Sequence, residues 1–145
     1  MPAINAADVR MSGTVKEVLR ASTLAQIQEM RGLIRADVIC TPLQRFTDQE
    51  SGAEIHLKLE NLQNIGAFKI RPAAALMLSV SKTDLAAGVC TASSGNFGIA
   101  VAAMAARLGV TAAVVVPESA PAAKLVRLQR LGARVIRVTQ EKWWE

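Results

Sequence analysis

A chain of 145 residues is long enough for one domain with a real core and too short for two ordinary ones. Hydrophobic residues make up 51% of it, which excludes long-range disorder and suits a compact α/β protein. The net charge of +5 raises nucleic acid as a partner, but three Phe, two Trp and no Tyr leave little for bases to stack on, so none is expected.

Residues 22–35, "STLAQIQEMRGLIR", place Leu24, Ile27, Met30 and Ile34 at helical spacing and predict an amphipathic helix with Ser22 as N-cap. "EIHLKLE" at 54–60 alternates as a strand does and follows the Ser51-Gly52 turn signal, so a hairpin with residues near Gln44 to Phe46 is expected. His56 then points away from the face of Ile55, Leu57 and Leu59. From Pro72, tolerated in a first helical turn, "PAAALMLSV" reads as a short helix. Next come a strand at 88–92, a helix at 96–109 stopped by Gly109, a buried strand at 110–117, a helix at 121–132 stopped by Gly132, and a strand at 133–138. This is βαβαβ, the signature of an α/β fold with a parallel open sheet and flanking helices. The basic cluster Lys124, Arg127, Arg130, Arg134 and Arg137 is interleaved with Leu125, Val126, Leu128, Leu131, Val135 and Ile136, as a solvated face over a buried one would be. Trp143 and Trp144 end the chain just past the last strand, and their apolar area is expected to lie against further structure.

Several chemistries are excluded early. His56 is the only histidine, so neither a His-based triad nor a multi-histidine metal centre can be assembled, and no metal site is expected. Cys40 and Cys90 are far apart and outside any CxxC pair, which fits a reducing cytoplasm. "MPAINAADVRMSG" at 1–13 lacks the apolar core of a signal peptide, and the run "IAVAAMAA" at 99–106 falls short of the ~18 apolar residues of a membrane span. No membrane partner is expected.

Two stretches remain. "TASSGNFG" at 91–98 lies between a strand end and a helix start, where open parallel sheets bind ligands. It reads either as a turn with an N-cap or as an anion site built from backbone N–H groups. Neither GxxxxGK[ST] nor GxGxxG is present, so a nucleotide loop is not supported. "NIGAFKIRPA" at 64–73 sets Lys69 between Phe68 and Ile70 just before a helix. A lysine is ordinarily a surface charge, but apolar neighbours and a helix N-terminus would both favour a neutral, nucleophilic amine.

"KLENLQNIGAFKIRPAAAL" followed by "ASSGNFGIAVAAMAARLGV" resembles the fold-type II pyridoxal-phosphate enzymes, the tryptophan synthase β-like fold, in the branch of threonine/serine dehydratases and serine racemases. The resemblance runs from "TPLQRF" near 41 to the end of the chain. It implies pyridoxal 5′-phosphate as cofactor, with Lys69 as its Schiff-base lysine and later the proton-transferring base. It further implies that Phe68 packs on the cofactor ring, Asn96 bonds its 3-hydroxyl, and Ser93, Ser94, Gly95, Asn96 and Phe97 bind the substrate carboxylate. Ser94 matches the opposite-face acid/base of the racemases. The implied activity is threonine/serine ammonia-lyase, β-elimination of L-threonine or L-serine to a 2-oxo acid and ammonia. Serine racemase, or a non-catalytic fragment, are the alternatives. A complete member would be a homo-oligomer. Phe97 stands where many members have histidine, Ala67 where they have serine and Pro72 where glycine is common, departures that bear on substrate preference. The family's phosphate-binding glycine-rich loop has no match, so residues 1–145 are expected to be an N-terminal portion. About 1–75 would form the arm, hairpin and lysine segment, and about 76–145 part of the small α/β domain.

Overall fold

A computed structural model of the chain describes residues 22–143. The readings made of residues 1–13 and of Trp144 lie outside the described residues. Helix α1 spans Leu24–Leu33, and its N-cap is Thr23 rather than Ser22. The Thr23 hydroxyl accepts the Gln26 N–H at 3.3 Å while Gln26 Oε1 accepts the Thr23 N–H at 2.9 Å. This reciprocal box needs Glu or Gln three residues on, which Thr23 has and Ser22, facing Ala25, lacks. The predicted apolar stripe is only partly buried: Ile34 is covered, but Leu24 and Ile27 are exposed.

Strands β1 (Leu43–Thr47) and β2 (Glu54–Lys58) form the expected antiparallel hairpin, with Leu43 opposite Lys58 and Thr47 opposite Glu54. Its polar face carries Arg45, His56 and Glu54, the carboxylate lying 2.6 Å from Arg45 Nη2 and 3.2 Å from His56 Nε2. The second strand stops short of Glu60, because Glu60–Leu62 turns as a 3-10 helix. Helix α2 spans Ile70–Ser79 and takes Pro72 into its first turn. A short helix not foreseen, α3 (Lys82–Ala86), is capped by the Ser81 hydroxyl on the Asp84 N–H at 3.1 Å.

The rest is β3 (Val89–Ala92), α4 (Asn96–Leu108), β4 (Ala112–Pro117), α5 (Ala122–Arg130) and β5 (Arg134–Val138). The three strands form a parallel sheet in the order β3-β4-β5. Gly109 and Gly132 end the two helices in left-handed conformation, with φ of 69° and 77°. Only the central strand is buried on both faces; β3 and β5 lie at the edges, which is why Arg134 and Arg137 of β5 stay exposed. The core gathers Val114 and Val116 of β4, Met104 of α4 and Leu128 of α5. Alanines explain how α2 and α4 approach: Ala73, Ala74, Ala100, Ala102 and Ala105 are all essentially fully buried, so backbones pack with little side chain between them. No helix of the described residues is long and apolar enough to cross a membrane.

An ion pair between a buried carboxylate and a half-exposed guanidinium joins the N-terminal segment to this α/β unit. Asp37, whose side chain is 2% exposed, meets the Arg107 guanidinium in the last turn of α4. Removing one partner of such a pair strands the other charge away from water. Arg107→Ala is therefore expected to lower the unfolding free energy by about 1–3 kcal/mol in urea titrations, with Arg107→Lys restoring part of the loss. An unchanged midpoint for Arg107→Ala would show that the pair contributes nothing.

Candidate active site

The lysine segment is built by alternation. Ile65, Ala67 and Ile70 point into the core, which leaves Phe68 and Lys69 facing outward between them. Gly66, at φ 73°, makes the turn that permits this, its N–H donating to the Gln63 carbonyl at 2.6 Å. Lys69 is the N-cap residue of α2, and its Nζ lies 4.7 Å from the centroid of the Phe68 ring, within cation–π range. The burial expected around this amine is not found: Lys69 is half-buried and Phe68 is 52% exposed. Among the described residues no carboxylate pairs with Lys69 and no hydrogen bond ties its amine.

Around this segment lies a polar network. The Glu60 carboxylate accepts Arg71 Nε at 2.8 Å and Nη2 at 2.7 Å, the Thr41 hydroxyl at 2.6 Å and the Gln63 amide at 3.3 Å. The Gln63 side chain donates to the Ile39 carbonyl at 2.7 Å and accepts the Ile39 N–H at 2.9 Å, and Arg71 Nη2 reaches the same carbonyl at 3.1 Å. The Arg71 guanidinium holds Glu60 well below the usual carboxylate range, at about 2, against the opposing effect of burial. Glu60, Gln63, Arg71 and Thr41 were not singled out by motif or periodicity. The available signal was an acid and an arginine, otherwise disfavoured in the interior, flanking the lysine in one short stretch.

The second motif forms the turn from β3 into α4. Ser93 accepts the N–H of Gly95 at 3.2 Å and of Gly98 at 3.0 Å on its hydroxyl, so it caps α4 although Gly95 is the N-cap residue. The turn-and-cap reading thus holds for Ser93. The N–H groups of Ser94, Asn96 and Phe97 take no acceptor among the described residues, and they open at a helix N-terminus, where an anion is favoured. The side chains of Ser94 and Asn96 are exposed. Phe97 is half-buried and lines an apolar cavity of about 290 Å³ with Met77, Cys90 and Val101. Gly98 is required by contact: a Cβ there would lie 2.9 Å from Val114 Cγ1 and 3.2 Å from both Ser93 Cβ and the Ser93 carbonyl.

The two motifs are carried on α2 and α4, which pack against each other, and among the described residues no hydrogen bond joins one motif to the other. An unpaired amine fits the carbonyl carbon of pyridoxal phosphate, and a turn with open N–H groups fits an anionic group beside it. No group of three His, Cys, Asp or Glu side chains that could hold a metal ion occurs among the described residues.

Two outcomes follow from this geometry. Because the folded pKa of Glu60 is depressed, its contribution is full above its unfolded value near 4.5 and is lost as pH falls toward 2. Wild type should lose up to ~3 kcal/mol more stability than Glu60→Gln between pH 6 and pH 2, read from denaturant midpoints; parallel curves would exclude the ion pair. Gly98→Ala should cost about 1–3 kcal/mol and shift the amide resonances of residues 93–98; unshifted resonances would place the tight contact elsewhere.

Comparison with known proteins matches residues 34–145 to the family described as Pyridoxal-phosphate dependent enzyme. The L-threonine ammonia-lyase of Thermotoga maritima is 38% identical over 116 residues, 79% of this chain and 29% of that protein. A serine racemase of Oryza sativa subsp. indica is 35% identical over 118 residues, covering 80% of this chain and 35% of its own. Among solved structures, serine racemase from Dictyostelium discoideum superposes with a TM-score of 0.76 at 36% identity, over 82% of this chain and 40% of that one. The chain spans about a third of the length of the relatives it matches. Because the match takes in the lysine turn and the 93–98 loop together with the sheet that carries the loop, the chain belongs to the family of pyridoxal-phosphate dependent enzymes.

Proposed function

We propose that this chain supplies the lysine side of the active site of an ammonia-lyase that acts on L-threonine or L-serine. The observation that carries the reading is the unpaired Lys69 amine on a helix that packs against the one whose N-terminus opens at Ser94 to Phe97. Relatives described as threonine ammonia-lyases supply the reaction class. When bound, pyridoxal phosphate acts as an electron sink for the carbanion left when the substrate loses its α-proton.

In this reading Lys69 is the residue that would hold the cofactor through its aldehyde group, and its free amine would be the base for the substrate α-proton. Phe68 presents its ring beside that amine. The N–H groups of Ser94, Asn96 and Phe97, which take no acceptor among the described residues, would orient the substrate carboxylate, and the exposed Asn96 side chain would help hold the cofactor. Ser93 serves the loop itself, since its hydroxyl already accepts two backbone N–H groups. The α-proton and the β-hydroxyl would leave as water, and addition of water to the unsaturated product would give a 2-oxo acid and ammonia. We assign residues 1–75 to an arm, hairpin and lysine segment and 76–145 to part of a small α/β domain.

A second reading, racemisation, is favoured by one feature: the Ser94 hydroxyl makes no hydrogen bond within the described residues and is exposed, so it is free to return a proton to the opposite face. Product analysis separates the two, a 2-oxo acid marking elimination and D-serine marking racemisation.

The direct test is to mix the chain with pyridoxal phosphate, reduce with borohydride and map the modified peptides. Lys69 is expected to carry label in excess over the exposed Lys82. Label on other lysines with none at Lys69 would end the assignment.

A further inference from the structure

Pro72 suits the first turn of α2, but nothing in that turn caps it or complements the helix dipole. Lys69, the N-cap residue, makes no side-chain cap, and the first turn contains no acidic side chain. It contains instead Arg71, a cation at the positive end of the helix dipole, an arrangement that by itself disfavours the turn. What offsets this is Glu60, brought in from the 3-10 turn eleven positions earlier, whose carboxylate takes the Arg71 fork on both oxygens.

The same carboxylate also takes the Gln63 amide, and both Gln63 and Arg71 bond the carbonyl of Ile39. Residues 63 and 71 are thus tied to one shared pair of acceptors, and the segment between them is a closed loop. Inside it Ile65, Ala67 and Ile70 are buried, so Lys69 has its Cα direction fixed from both sides. The Arg71 N–H bonds the Phe68 carbonyl at 2.9 Å, and the first bond of full α-helical span, from the Ala73 N–H to the Lys69 carbonyl at 3.3 Å, begins in the stretch that Arg71 secures.

We propose that Glu60 and Arg71 are positioning residues for the Lys69 amine. They set where α2 begins and hence where the amine is presented. This rests on the assignment of Lys69 as the cofactor-binding amine. Without the pair, the first turn frays, the Lys69 backbone leaves its helical conformation, and reaction with an aldehyde loses its geometric preference.

The test compares the Lys69-to-Lys82 labelling ratio after pyridoxal phosphate and borohydride treatment of the whole chain, at a temperature where circular dichroism shows every variant folded. Arg71→Ala and Glu60→Gln are expected to lower the ratio by about fivefold or more and to reduce hydrogen-exchange protection of the Ala73 amide, with Arg71→Lys recovering part of both. Arg137→Ala, which removes a bond to the Glu118 carbonyl at the far side of the sheet, should leave the ratio unchanged whatever it does to the melting temperature. A folded Arg71→Ala chain with the wild-type ratio would overturn the positioning role while leaving the Lys69 assignment standing. A wild-type ratio near one would overturn both.

Discussion

The Glu60 carboxylate is the point where three separate parts of the chain are fastened together. It receives Thr41 from the segment leading into the hairpin, Gln63 from the turn after it, and Arg71 from the first turn of α2. These contacts are charge-assisted and partly shielded from water, so each is stronger than a neutral bond at the surface. The hairpin itself buries little, since every residue of β1 and β2 is exposed. Its position relative to the α/β unit therefore depends on polar contacts at its ends rather than on apolar area.

A second fastening works at the opposite motif, and by a different force. At Gly98 the α4 backbone comes so close to β4 and to Ser93 that no side chain fits, and the Ser93 hydroxyl closes the turn with two backbone N–H groups. That arrangement leaves the amides of Ser94, Asn96 and Phe97 without an acceptor among the described residues. In the proposed function these are the donors that meet the substrate carboxylate, and a cap already closed by Ser93 means they need no reorganisation to do so. The lysine and the loop thus sit on two helices brought together by small residues, Ala73 and Ala74 against the alanines of α4.

Much of this was legible from the residues. Strict alternation in "EIHLKL", glycine stops at 109 and 132, and the apolar run "AAVVVP" gave the hairpin, two helix ends and the central strand. The Ser-Ser-Gly-Asn turn was legible because strand, small residues and helix follow one another. What was not legible depends on pairings distant in sequence. Arg107 finds Asp37 only once α4 is packed, and Arg71 finds Glu60 only once the 3-10 turn has formed. Thr23 displaced Ser22 as the cap because the decisive partner, Gln26, lies three residues on. The exposure of Phe68 also escaped local reading, since an aromatic residue between buried neighbours is ordinarily read as core.

The central claim is that Glu60 and Arg71 act as one unit, and a double-mutant cycle on unfolding free energy tests it most directly. Glu60→Gln, Arg71→Met and the combined variant would be unfolded in urea at pH 7. Their losses should fall short of additivity by about 1.5–3 kcal/mol, because removing the second partner of a broken pair costs little more. Losses that add to within about 0.5 kcal/mol would contradict the account.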